Sequence, residues 1–283
     1  MWSKQADLLR GVHLLITRPV EQAYVWAQQL RELGAIVTVR PMLAVKPLTD
    51  KKSVQKMCVL KQFDKFQKAI FISRNAVSYG IEMLNQYCPR IPSTVQFFAI
   101  GYSTALSLSM RGFDVQRNGT PMNSEALLKL AAMNDVDGQK IMIFRGFGGR
   151  TYLGDQLSKR GALVEYCETY QREPPPPYVQ VLPSTFYNTE HPIPITTVHS
   201  GETLANLVNI VPSSQLYWLR QQPLLIPGQR VAAAATKIGF SQLLIAKNAT
   251  HTSMIEALYE WRKRKNQIKP QLTSKSGKSI DSQ

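Results

Sequence analysis

Short apolar runs alternate along the chain with amphipathic stretches of helical period, and that alternation predicts an α/β protein built on largely parallel sheets. "HLLIT" (13–17) reads as a buried strand, followed by a helix over about 20–33 with Ala23, Ala27 and Leu30 on one face and Gly34 at its end. The pattern continues with a helix near 52–66, strand "AIFIS" (69–73), helix 75–87, strand "QFFAIG" (96–101), helix 103–111, strand "DVQR", helix 124–133, strand "KIMIF" (140–144) and helix 150–160. The last third supplies strands near 195–199, 223–227 and 243–247, each followed by one helix.

Two stretches depart from this rhythm. "AIVTVRPMLAVKPL" and "ALVEYCETYQRE" are long and extended; Pro41 and Pro47 interrupt the first, and four prolines (174–177) follow the second. Three strands make a thin sheet, so the opening strand is the natural fourth member of the last third. The expected organisation is therefore two lobes, each a parallel sheet flanked by helices, joined by a two-stranded connector. Residues 1–38 with 178–264 form the first, discontinuous lobe, 39–48 and 166–177 the connector, 49–165 the second lobe, and 265–283 a basic disordered tail. On this reading the prolines stiffen the return and keep the crossings out of any sheet; the simpler alternative is a linker between two sequential domains.

An internal echo favours two lobes of one kind. Ser73 of "FISRNAV" precedes Gly101 by 28 residues and Gly112-Phe113 follows 11 later; Ser200, Gly228 and Gly239-Phe240 repeat both spacings at an offset of 127.

Charge narrows the partners. Lysine and arginine number 34 against 19 acidic residues, a formal +15 that favours anions. From Arg262 onward seven basic residues face Asp281 alone, which reads as a solvated terminus or, alternatively, a nucleic-acid-binding arm. Cys58, Cys88 and Cys167 are far apart and near no histidine at ligand spacing, so they read as ordinary thiols, and no metal site is expected. No apolar run is long enough to span a bilayer, and the N-terminus carries no secretion signal; a cytoplasmic protein is expected.

Ligands of parallel sheets gather beyond the carboxyl ends of the strands. There the sequence offers Arg18, Ser73, Arg74, Ser103, Thr104, Asn123, Ser124, Arg145, Gly146, Arg150, Ser200, Gly201 and Arg230. Guanidiniums, hydroxyls and backbone N–H groups at helix starts suit a ligand with several dispersed carboxylates. Taken singly, Ser73 or Ser124 is explained by helix capping. "RGFGGR" (145–150) is only superficially a phosphate loop, because it lacks the GKS/T ending.

"LLITRP", "AIFISRNAV", "FFAIGYSTALSLSMRGF", "NSEALL", "IMIFRGFGGRTYLGDQLSKRGALVEYCETYQR" and "VHSGETL", in this order, resemble the uroporphyrinogen-III synthase family from about residue 13 to 260. The resemblance implies cofactor-free closure of linear hydroxymethylbilane to uroporphyrinogen III, with loss of water and inversion of the terminal pyrrole ring through azafulvene and spiro species. The eight carboxylates of that substrate give the arginine loops a role, with the ligand expected in the gap between lobes. Tyr170 matches the family's connector tyrosine, implied to assist departure of the hydroxyl group, although an interlobe packing aromatic is the alternative. Ser103 and Thr104 match the family's hydroxyl pair, whereas "GQRVAA" (228–233) departs from it. A monomer is expected, with transient contact to the enzyme that makes the bilane. The rival readings are a non-enzymatic anion- or nucleic-acid-binding protein using the tail and, more remotely, a two-lobed solute-binding protein.

Overall fold

The computed structural model describes residues 8–48, 59–88, 90–117, 123–175 and 195–273. Two compact units emerge, one comprising Met1–Ala44 and Pro174–Gln283, the other Val45–Glu173.

In the first unit, β1 (His13–Ile16), β2 (Ile36–Val39), β9 (Ile195–Thr197), β10 (Leu224–Pro227) and β11 (Leu243–Ala246) form one sheet in the order β11-β10-β9-β1-β2. All of its pairings are parallel. Because successive strand residues point to opposite faces, Leu14, Ile16, Leu225 and Leu244 pack beneath α1 (Val20–Glu32) and α9 (His251–Thr273). Leu15, Leu224 and Ile226 pack on the other face beneath α6 (Gly201–Ile210), α7 (Ser213–Gln221) and α8 (Gln229–Ile238).

The second unit carries β3 (Ala44–Pro47), β4 (Lys68–Phe71), β5 (Gln96–Ala99), β6 (Val115–Arg117), β7 (Lys140–Gly146) and β8 (Leu163–Glu173) in the order β3-β8-β7-β4-β5-β6. The same alternation splits its core. Phe71, Phe97, Ala99, Met142 and Phe144 face α2 (Arg74–Tyr87) and α3 (Tyr102–Ser109), while Ile70, Phe98, Ile141 and Ile143 face α4 (Ser124–Leu127) and α5 (Tyr152–Lys159). Phe71 and Phe144 stack with centroids 4.3 Å apart, and α2 approaches them at Gly80, where a Cβ would lie 2.7 Å from the Phe144 ring.

Several elements differ from expectation. Both extended crossings belong to the six-stranded sheet: β8 lies between β7 and β3, and Leu48 N–H donates to Thr169 O at 3.1 Å. The prolines end these strands instead of keeping them out of the sheet; Pro47 closes edge strand β3 and Pro174 follows β8, where a missing N–H is tolerated. The helix expected over 124–133 is one short turn, Ser124–Leu127, followed by a 3-10 turn at Ala131–Met133. Between α6 and β10 stands an additional helix, α7, with Pro212 at its N-cap. Helix α9 continues to Thr273, past the point where the disordered tail was expected; residues 274–283 and 52–58 of the helix expected near 52–66 lie outside the described residues, and the described remainder is helical only at 59–60 before a 3-10 turn at Phe63–Lys65.

Candidate active site at the carboxyl ends of the strands

A bulge in β8 builds the second unit's candidate site. Residues Leu163 to Glu168 pair in register with Lys140 to Arg145, but Gly146 then pairs with Tyr170, leaving Thr169 as the extra residue. Without that insertion Tyr170 would point to the opposite face from Cys167; with it both enter the same core. Tyr170 is 2% exposed, its ring against Gly146, where a Cβ would come within 2.7 Å of it. The phenol reaches Ser73 Oγ at 3.1 Å, and Ser73 Oγ also accepts from Ala76 N–H at 3.1 Å as the N-cap of α2. One hydroxyl thus closes the first turn of a helix and fixes the orientation of a buried phenol.

The other expected residues of this unit differ in access. Arg74, Ser103 and Arg150 are exposed, Asn123 and Ser124 are partly buried, and Thr104 is buried. The capping reading holds for Ser73, but at the second position Asn123 is the cap, its Oδ1 accepting from Ala126 N–H at 2.9 Å, and Ser124 is the first helical residue.

Arg145 departs from the expected carboxylate clamp. It is 8% exposed, with one guanidinium nitrogen donating to the carbonyls of Gly149 and Arg150 at 3.0 and 3.3 Å and the other to Glu168 Oε1 at 3.0 Å. The guanidinium also lies 3.7 Å from the centre of the Tyr166 ring. A buried cation needs such a shell, and having it, Arg145 shapes its own loop. Neither Glu168 nor Tyr166 was signalled by the sequence beyond their strand.

The first unit places Arg18, Ser200, Gly201 and Arg230 at the corresponding ends of β1, β9 and β10. Arg18 donates to Gln22 Oε1 at 3.2 Å, and Arg230 is exposed. Ser200 caps α6 by accepting from Thr203 N–H at 3.1 Å and lies 2.9 Å from Thr203 Oγ1. Next to it His199 has both ring nitrogens buried without a hydrogen bond, edge-on to the fully buried Trp26 at 4.8 Å. His251 stacks on the same indole at 5.8 Å. Burial, reinforced by the charges of Arg18 and His251, pushes the His199 imidazole well below its ordinary pKa, so it stays neutral. This cluster joins three distant segments, and spacing alone gave no hint of it.

A cavity of about 410 Å³, lined by Val59, Lys65, Phe66, Lys140 and Leu163, opens at the amino ends of β7 and β8, away from these residues. Among the described residues no helix is long and apolar enough to cross a membrane, and no group of three or more metal-ligating side chains comes together.

A sequence model of the family described as uroporphyrinogen-III synthase HemD matches residues 25–256. The chain is 30% identical over 255 residues to the uroporphyrinogen-III synthase of Salmonella typhimurium, covering 87% of this chain and 99% of that protein. To the Escherichia coli synthase it is 29% identical over 247 residues, covering 87% and 99%. Among solved structures, a mutant uroporphyrinogen III synthase of Thermus thermophilus superposes with a TM-score of 0.56 at 16% identity, covering 90% and 99% of the two chains. The Helicobacter pylori uroporphyrinogen-III synthetase gives 0.52 at 13% identity, covering 88% and 99%. At such identities the structures support the fold, while the family match across most of the chain carries the assignment: this protein belongs to the uroporphyrinogen-III synthase family.

Proposed function

We propose that the protein closes hydroxymethylbilane to uroporphyrinogen III in tetrapyrrole biosynthesis, with inversion of the terminal ring and loss of water. The observation that carries this reading is the family match over residues 25–256, which takes in the buried Tyr170–Ser73 pair and the helix starts around it.

Departure of the terminal hydroxyl leaves an electrophilic methylene-pyrrole. It is assisted by a donor at the leaving oxygen, and Tyr170, oriented by Ser73, is the group placed for that. Because the free bilane also closes, without inversion, catalysis rests mainly on holding the reacting ends in one geometry. In the second unit Arg74, Ser103, Asn123, Ser124 and Arg150 are the donors assigned to carboxylates, while Arg145 and Gly146 act from beneath by fixing the 145–150 loop; Arg18, Ser200, Gly201 and Arg230 are the candidate donors of the first unit.

Enzymatically generated hydroxymethylbilane, incubated with the protein, then oxidised and separated into isomers, should yield the type III isomer, with Tyr170→Phe slowing turnover about a hundred-fold, the lower end of a general-acid contribution, while the thermal midpoint stays near that of the parent. Type I product alone would remove the assignment. An unchanged rate in Tyr170→Phe would remove the phenol's role and leave the packing reading.

A further inference from the structure

The 145–150 loop, a glycine-rich turn between a strand and a helix, has the composition of an anion cradle, yet the backbone donors of Phe147, Gly148 and Gly149 are already in use. Phe147 N–H donates to Tyr170 O at 2.7 Å, Gly148 N–H to Glu168 Oε1 at 3.2 Å and Gly149 N–H to Gly146 O at 3.1 Å. The Arg145 guanidinium holds the carbonyls of Gly149 and Arg150 from below. Gly148, at φ 65°, makes the left-handed turn that lets the loop double back. What this framework turns outward is the Phe147 side chain, 59% exposed.

A single exposed phenylalanine on a loose surface calls for no explanation. Here the backbone on either side is pinned by four groups, and one of the bonds runs to the carbonyl of Tyr170 itself. We propose that Phe147 is a substrate-positioning residue whose ring lies against a pyrrole ring of the linear tetrapyrrole. Carboxylate contacts fix the rim of such a substrate but leave each flat ring free to turn about its methylene bridges, and the reaction depends on which way the terminal ring faces. A rigidly mounted phenyl supplies the missing constraint by offset stacking. Tyr102, at the head of α3, and Tyr152, at the head of α5, are further exposed aromatics at the carboxyl end of the same sheet.

The proposal rests on substrate binding at the carboxyl ends of this sheet, so its test includes a control for that placement. Phe147→Ala should raise KM for hydroxymethylbilane about five-fold, the worth of one aromatic stacking contact. Turnover at saturation and the thermal midpoint should hold, and the share of type I isomer at low substrate should rise. Phe147→Tyr, which keeps the ring, should restore KM. An unchanged KM in Phe147→Ala, or the same rise in Phe147→Tyr, would overturn the proposal. If Arg74→Ala raises KM while Phe147→Ala is silent, the aromatic contact falls and the placement stands; silence in both removes both.

Discussion

The two units are built on one framework and differ in what they hang on it. Ser73 and Ser200 cap their helices with backbone angles of −163°, 163° and −159°, 163°. Gly101 and Gly228 follow at 86°, 157° and 78°, 170°, and Gly112 and Gly239 close the next helices at φ 86° and 103°. The 127-residue offset reaches further than those positions. Gly34-Ala35 maps to Gly161-Ala162, with φ 87° and 86° at the glycines, and Arg18 maps to Arg145. Strand order agrees as well, β11-β10-β9-β1-β2 against β6-β5-β4-β7-β8, with β3 as the second unit's extra edge. Equivalent residues have nevertheless diverged in role. Arg145 is locked by Glu168 and a carbonyl pair, whereas Arg18 pairs with Gln22 and bears on His199; Ser73 meets Tyr170, whereas Ser200 meets Thr203 of its own helix. Backbone turns were kept, while the side-chain partners at equivalent positions diverged.

If the framework is shared, its glycines should be equally intolerant of a side chain. Gly101→Ala and Gly228→Ala each place a Cβ in a region that is almost exclusively glycine's, at a cost of about 1–3 kcal/mol. Denaturant midpoints at constant slope would measure this. Loss in one variant and none in the other would break the equivalence.

The serines should then separate the units. Removing either cap costs about 1 kcal/mol, and Ser73→Ala, which also leaves the buried Tyr170 phenol unpaired, should lose about 1–3 kcal/mol more than Ser200→Ala. Turnover should fall in Ser73→Ala, which deprives the Tyr170 phenol of its partner, while Ser200→Ala should act on KM alone. Equal kinetic effects would show that the phenol contact carries no catalytic weight.

Much of this framework was legible in sequence because it rests on local signals. "HLLIT", "AIFIS", "QFFAIG" and "KIMIF" are apolar runs, the second and third closed by the helix caps Ser73 and Gly101, and the serine–glycine spacing exposed the duplication. The crossings were misjudged because proline was taken to exclude sheet membership, when it only restricts a strand to an edge or an end, as at Pro47. The site was legible by residue type and far less by role. Arg145 looked like a ligand clamp because nothing local announces that Glu168, 23 residues on, will meet it, and the bulge at Thr169 that aims Tyr170 leaves no compositional mark.

The smallest expected difference between the units is an acid response confined to the first. At the position equivalent to His199 the second unit has Ile72. His199 faces Trp26, which is uncharged, and the positive fields of Arg18 and His251, so burial and both charges hold its folded pKa well below 6.5. The unfolded chain, with an ordinary imidazole, takes up a proton as pH falls through 6.5, and the folded chain does not. Stability is therefore level above that point and declines below it until the folded group itself titrates. Between pH 7 and pH 6 the loss is somewhat under about 1 kcal/mol. His199→Phe, matching the apolar character of the second unit, should flatten this part of the profile in denaturant titrations, and the ring protons of His199 should show no shift across the same range in the folded parent. A parent profile as flat as the variant's would mean that the imidazole is solvated and that its contact with Trp26 is loose.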